Sequence, residues 1–155
     1  MERHNLEEYC IGSILLLSNK LQAWGDELTG EITFKQFFLL ILLSRISIKK
    51  PTVQEISEYV GSSRQNVKKM LEQLREKGYV HITSSIVDAR SYEVSLTDKT
   101  HDYFERNAVK SASEVNFLFS EVSGEELKIT IRTLEMLLGK LGVTMRHKSE
   151  TTAHG

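Results

Sequence analysis

The chain has 155 residues, 40% of them hydrophobic, and 20 Lys+Arg against 21 Asp+Glu for a formal net charge of −1. That length buries a core without a metal or disulfide staple, and the single cysteine, Cys10, excludes an intrachain disulfide and suits a reducing cytoplasm. Charge gives no global attraction to a polyanion, but it is unevenly spread: residues 45–110 carry 12 Lys+Arg and 9 Asp+Glu, the remainder 8 and 12, so the middle is basic and the ends are acidic.

The opening Met1-Glu2-Arg3-His4 leads into an amphipathic helix with Glu7 and Glu8, which is not the pattern of a signal peptide. This helix is expected from about Asn5 to Trp24, with Leu6, Tyr9, Cys10, Leu17, Leu21 and Trp24 on a broad apolar face, and to stop near Gly25. Thr33-Phe34-Lys35-Gln36 is a capping box, a Thr and a Gln spaced to satisfy each other's free backbone N–H groups. The helix it starts is apolar on nearly every side through Leu43, which calls for cover all round. Its apolar run, Phe37 to Leu43, falls far short of the roughly 20 residues that span a bilayer, and no membrane association is expected.

Thr52-Val53-Gln54-Glu55 opens a short helix with a second capping box and Val53, Ile56 and Val60 on one face. Gly61 turns the chain, and a further helix from about Ser63 puts Val67, Met70, Leu71 and Leu74 inward before Gly78, the residue suited to a left-handed helix end. Two alternating runs follow, Val80 and Ile82, then Tyr92, Val94 and Leu96, separated by a polar segment containing Asp88-Ala89-Arg90. Two helices joined by a tight turn and followed by a hairpin make a winged helix-turn-helix, so the fold class is mainly α with a small β-hairpin wing. With the apolar stripe inward, Gln65, Lys68 and Lys69 point outward and Arg64 stands at the helix start beside Ser63. Gln65 is suited to paired hydrogen bonds with adenine, and Lys68 and Lys69 to phosphate. Ser62 and Ser63 are caps first, and Asn66 lies at the edge of the outward face. The competing reading is an ordinary solvated basic helix face.

Thr97-Asp98 begins a long helix with Phe104, Ala108, Ala112, Val115 and Phe119 repeating every three or four residues. Ser123-Gly124-Glu125-Glu126 is a third capping box and leads to Leu127, Ile131, Leu134, Leu138 and Leu141. The polar tail, 146–155, lacks periodicity and is expected to fray. Apolar faces on the first helix and on the last two exceed what one small domain leaves uncovered, which points to a homodimer.

The middle of the chain resembles the MarR (multiple antibiotic resistance regulator) family of transcription factors. The resemblance rests on Gly61-Ser62-Ser63-Arg64-Gln65-Asn66-Val67, Leu74-Arg75-Glu76-Lys77-Gly78-Tyr79-Val80, Asp88-Ala89-Arg90 and Leu96-Thr97, within about Thr33 to Phe104. Two departures stand out: His81-Ile82-Thr83 where the family often has a basic residue, and Thr100 where it usually has glycine. The resemblance implies a dimeric repressor bound to double-stranded DNA at a palindromic operator, with a winged helix-turn-helix lobe at 33–96 and a helical dimerisation lobe from 1–30 and 97–145. It implies that Arg90 enters a minor groove with Asp88 orienting its guanidinium, against the bland alternative of a surface ion pair. It further implies a pocket for a small aromatic or apolar effector, with Tyr9, Trp24 and Phe38 as aromatic neighbours. One branch of the family, the organic-hydroperoxide sensors, uses a lone cysteine in the first helix, which makes Cys10 a redox candidate, although Ile11-Gly12-Ser13 after it do not repeat that branch's pattern.

Catalytic signals are lacking: there is no GxxxxGK[ST] loop, HExxH, C-x-x-C or G-x-S-x-G. His101 and Glu105 share a helix face without further ligands, a pattern that is usually a surface contact, so no metal or other cofactor is expected. The sequence therefore reads as a cytoplasmic, non-enzymatic transcriptional regulator. The alternatives are a winged-helix module that binds protein and has no use for Arg64, Lys68, Lys69 and Arg90, and a regulator switched by oxidation of Cys10.

Overall fold

A computed structural model describes residues 2–86 and 91–143. The element order is α1 (Arg3–Thr29), α2 (Phe34–Arg45), α3 (Val53–Val60), α4 (Arg64–Glu76), β1 (Val80–Ser84), β2 (Tyr92–Leu96), α5 (Asp98–Leu118) and α6 (Gly124–Lys140). The chain forms two compact units, one running through Ala108 and the other beginning at Val109, with α5 crossing from the first to the second.

In the first unit α1 passes straight through Gly25 and ends at Gly30, rather than stopping near Gly25 as its sequence suggested. The reason is close approach, not termination. Gly25 is buried, and a Cβ built there would lie 2.1 Å from Phe34 Cγ, so only glycine lets α1 pass the first turn of α2. Trp24 meets the same Phe34 ring edge-on, with centroids 6.1 Å apart. The Asp26 carboxylate accepts the Phe34 N–H at 2.6 Å, which adds a cap from α1 to the capping box of Thr33 and Gln36. Not all of α2 is covered: Leu39, Leu40 and Leu43 face the core, while Phe38 is 52% exposed.

The Thr52–Glu55 box starts α3, and Gly61, at φ 64°, closes it in the left-handed conformation. Ser57 is buried, as a small residue must be for α3 and α4 to approach closely. Ser63 caps α4 by accepting the Asn66 N–H at 3.2 Å. At the other end Gly78, at φ 81°, lets the Tyr79 N–H reach the Leu74 carbonyl at 2.8 Å and its own N–H reach Arg75 at 2.9 Å, the paired bonds of a Schellman ending.

The hairpin is antiparallel with Val80 opposite Leu96, Ile82 opposite Val94 and Ser84 opposite Tyr92. A pairing that the alternation did not reveal extends it: Thr52 bridges Glu93, and the Val94 N–H donates to the Pro51 carbonyl at 2.9 Å. The approach to α3 is thereby stitched to β2, which fixes the wing against the helix pair.

The core joins Ile32, Leu39, Leu40 and Leu43 to Ile56, Val67, Leu71 and Leu74, then to Tyr79, Val80, Val94 and Tyr103. Tyr103 replaces Phe104 as the chief anchor of α5, and its ring lies 5.5 Å from Tyr79 and 6.2 Å from Phe37, both edge-on. Thr100, fully buried, donates its hydroxyl to the Tyr79 carbonyl, so the side chain absent from a glycine is used here to fasten α5 to β1.

In the second unit the Ser123–Glu126 capping box is formed, and the Ser123 hydroxyl and N–H hold the Glu126 carboxyl below its usual range. Large apolar side chains stay uncovered in this chain: Val109 is 83% exposed, Phe117 79% and Leu141 80%. The expected tail at 146–155 lies outside the described residues.

Candidate nucleic-acid interface

Burial of Val67, Leu71 and Leu74 decides which side of α4 is left to meet a partner. Arg64, Gln65, Asn66, Lys68 and Lys69 are all exposed, Ser63 is occupied as the helix cap, and Ser62 is half-buried with its N–H on the Ser57 carbonyl at 3.1 Å. Both serines thus act as turn and cap residues, as their types favour.

Between α4 and the hairpin runs a cleft of about 790 Å³. Arg64, Gln65, Lys68 and Arg75 line it from α4, Gln54 from α3, and Ile82 and Tyr92 from the strands. Among the described residues its lining has the cations Arg64, Lys68 and Arg75 and the carboxylate of Glu72, which stands 3.9 Å from Lys68. Both of those side chains are about half exposed or more, so the pair is weak and Lys68 remains available to a stronger anion. Arg64 and Arg75 are separated by about 16 Å along the axis at the rise of an α-helix, enough to follow a polyanionic backbone past several charges. Lys69 and Asn66 do not line this cleft and stand on the adjoining exposed faces of α4.

The structure therefore brings Arg64, Gln65 and Lys68 together and adds three residues that sequence reasoning passed over. Arg75 repeats Lys68 after two helical turns, a spacing that could have marked it. Tyr92 reads as inward in the alternation with Val94 and Leu96 but is 50% exposed, its ring bordering the cleft. Gln54 follows the capping residue of α3 by two and had no distinguishing signal. Asp88 and Arg90 lie outside the described residues.

The other candidates are dispersed. Cys10 is exposed on α1, as is Tyr9 at 71%, while Trp24 packs on Phe34 and Phe38 points outward from α2. Among the described residues no three His, Cys, Asp or Glu side chains gather as a metal-binding set, and no helix is long and apolar enough to cross a membrane.

No family model matches the sequence, and no curated protein matches it. Solved structures do. A MarR transcriptional regulator from Methanosarcina mazei Go1 is 26% identical, with a TM-score of 0.73 over 87% of this chain and 98% of that one. Sco3205, a MarR family transcriptional regulator from Streptomyces coelicolor solved in complex with DNA, is 19% identical, with a TM-score of 0.76 over 89% and 90% of the two chains. An organohalide-sensing transcriptional regulator in its 2,4-dichlorophenol-bound form is 17% identical, with a TM-score of 0.78 over 100% of this chain and 95% of that one. Among the described residues, six helices and a two-stranded wing, matched over nearly the full length of these proteins, give this chain the fold seen in MarR family transcriptional regulators.

Proposed function

We propose that the chain is a cytoplasmic, homodimeric repressor that binds a palindromic DNA operator through α4 and the wing and is released by a small effector. The observation that carries this reading is the cleft between α4 and the hairpin, where Arg64, Lys68 and Arg75 converge on one side of an otherwise nearly neutral molecule. A module that binds an uncharged protein surface would have no use for these cations, and the sequence carries none of the common catalytic motifs.

The chemistry assigns the roles. Gln65, at the start of α4, reads a base edge by a paired amide contact, while Arg64 and Lys68 neutralise phosphates beside it. Arg75 and the Tyr92 hydroxyl extend the phosphate track toward the wing, Lys69 and Asn66 contact the flanking backbone, and Asp88 and Arg90 serve the minor groove. Dimerisation follows from the apolar side chains left bare, such as Leu16 at 61% on α1 and Ile129 at 65% on α6, which a second copy would cover. A two-fold dimer sets its recognition helices about one DNA turn apart, hence the palindrome.

Release by a small molecule is supported by the neighbours, of which one carries 2,4-dichlorophenol and another, from Staphylococcus aureus, salicylate and kanamycin. Tyr9, Trp24 and Phe38 remain the aromatic candidates for this chain. The exposure of Cys10 keeps oxidation as the competing signal. A peroxide and phenol challenge of DNA-bound native and Cys10→Ser protein separates them. Release by phenols in both proteins, with no effect of peroxide on either, supports the effector reading; peroxide release lost in Cys10→Ser overturns it.

Footprinting on the DNA flanking the gene tests the function itself. A protected palindrome, with Gln65→Ala relaxing sequence preference more than it lowers nonspecific affinity, supports it. Absence of any protected site contradicts it.

A further inference from the structure

The contacts that hold α4 against the core are apolar, and apolar contacts are not directional. Val67, Leu71 and Leu74 seat the helix on the core but carry no directional bond of their own. The directional ties sit elsewhere, around its C-terminal end, and they lead to one residue in the α1–α2 turn. Glu31 accepts the Tyr79 hydroxyl on its carboxylate and the Lys77 ammonium on its backbone carbonyl at 2.8 Å, both from the segment that closes α4. Arg106 of α5 approaches the same carboxylate at 3.8 Å.

Neighbouring bonds reinforce the arrangement. Tyr103 donates its hydroxyl to the Thr29 carbonyl at 2.9 Å, and the Gln36 amide donates to Gln73 on α4 at 2.8 Å. Lys99 lies 4.5 Å above the Tyr79 ring and donates to the Lys77 carbonyl at 2.7 Å. A tyrosine buried to 1% exposure, with its hydroxyl reaching a half-exposed carboxylate, is an anchored strut rather than a surface pair. The base-reading and phosphate-facing residues project from α4, so the end fixed by this strut sets where they point.

We propose that Glu31, through Tyr79, is a positioning residue for the recognition helix: it holds α4 in the orientation that specific DNA binding requires without touching DNA. The inference rests on the DNA-binding reading above. Mispositioning predicts a particular loss, because phosphate attraction survives a small rotation of a basic helix while paired base contacts do not.

The test uses the full-length protein and two duplexes, one selected from a random pool by the native protein and one of shuffled sequence. Glu31→Ala and Tyr79→Phe should each weaken binding to the selected duplex about tenfold, the scale of one charge-assisted hydrogen bond, and leave the shuffled duplex bound as before. The double variant should lose no more than either alone, and Glu31→Gln, which keeps an acceptor for the phenol, should restore specific binding. Amide hydrogen exchange along α4 in the free protein should quicken in Tyr79→Phe at a temperature where the protein stays folded. Native-like specific binding by Glu31→Ala and Tyr79→Phe, or equal losses on both duplexes, overturns the inference while a weakened Lys68→Ala leaves the DNA-binding reading standing. Failure of the native protein to bind any duplex removes that reading instead, and unchanged exchange along α4 then overturns the strut on its own.

Discussion

Replacing Gly25 with alanine should destabilise the protein even though the same change in an open helix stabilises it. In a helix interior alanine is favoured over glycine by about 1 kcal/mol, because glycine surrenders more backbone freedom on folding. Here the added Cβ would lie 2.1 Å from Phe34 Cγ, 2.3 Å from Cδ2 and 2.7 Å from Cβ. The ring could rotate away, but Phe34 Cβ moves only with the backbone, and Phe34 is the first residue of α2, whose Leu39 and Leu40 are locked in the core. Relief therefore needs α1 and α2 to separate, and overpacking of this kind costs about 1–3 kcal/mol. The net expectation is a loss of up to about 2 kcal/mol, read as a lower urea midpoint with an unchanged slope. In a Phe34→Gly background all three clashing atoms are gone, so adding Gly25→Ala should reverse sign and stabilise by about 0.5–1 kcal/mol. Stabilisation by Gly25→Ala alone, or the same sign in both backgrounds, would refute the close-approach account of this glycine.

Thr52→Ala removes a side chain that caps α3 and pairs with Glu55, so it should cost about 1–2 kcal/mol in chemical denaturation. Burial, then the hydrogen bond to Glu31, pushes the Tyr79 phenol well above its ordinary range. A raised folded value means that this contribution is fully present below about pH 10 and is lost as pH rises beyond it, so urea melts from pH 9 to 11 should fall more steeply for the native protein than for Tyr79→Phe. Glu31 is shifted the other way, held below the usual carboxylate range chiefly by the Tyr79 hydroxyl, so its contribution is present at neutral pH and lost as acid titrates it through that lowered value. Deleting Leu127 to Gly155 should leave a monomeric, insoluble or aggregated protein by sedimentation, and a full-length chain that sediments as a monomer at micromolar concentration would contradict the dimer.

The parts of this fold that the sequence announced are those set by local chemistry. Thr33, Thr52 and Ser123 each stand three residues before a Gln or Glu and each starts a helix, since the box closes within one turn. Gly78 and the alternation of Val80 and Ile82 against Val94 and Leu96 were equally readable. What escaped depends on partners far apart in the chain. Gly25 looked like a helix end because its reason, Phe34, lies on another element. Tyr103 was passed over for Phe104, since the choice between adjacent aromatics depends on where Tyr79 and Phe37 sit. At the candidate site the outward face of α4 was legible from its inward stripe, but the cleft was not: Gln54, Arg75 and Tyr92 join it only once the hairpin folds beside the helix.

Whether the basic cleft grips phosphate is read most directly from the salt dependence of duplex affinity for native protein and Lys68→Ala. If it does, log K for the native protein falls steeply and linearly with log salt, and Lys68→Ala weakens all sequences alike and lowers the slope by about one per altered contact. A native protein whose duplex affinity ignores salt, or a Lys68→Ala variant with the native slope, would contradict it.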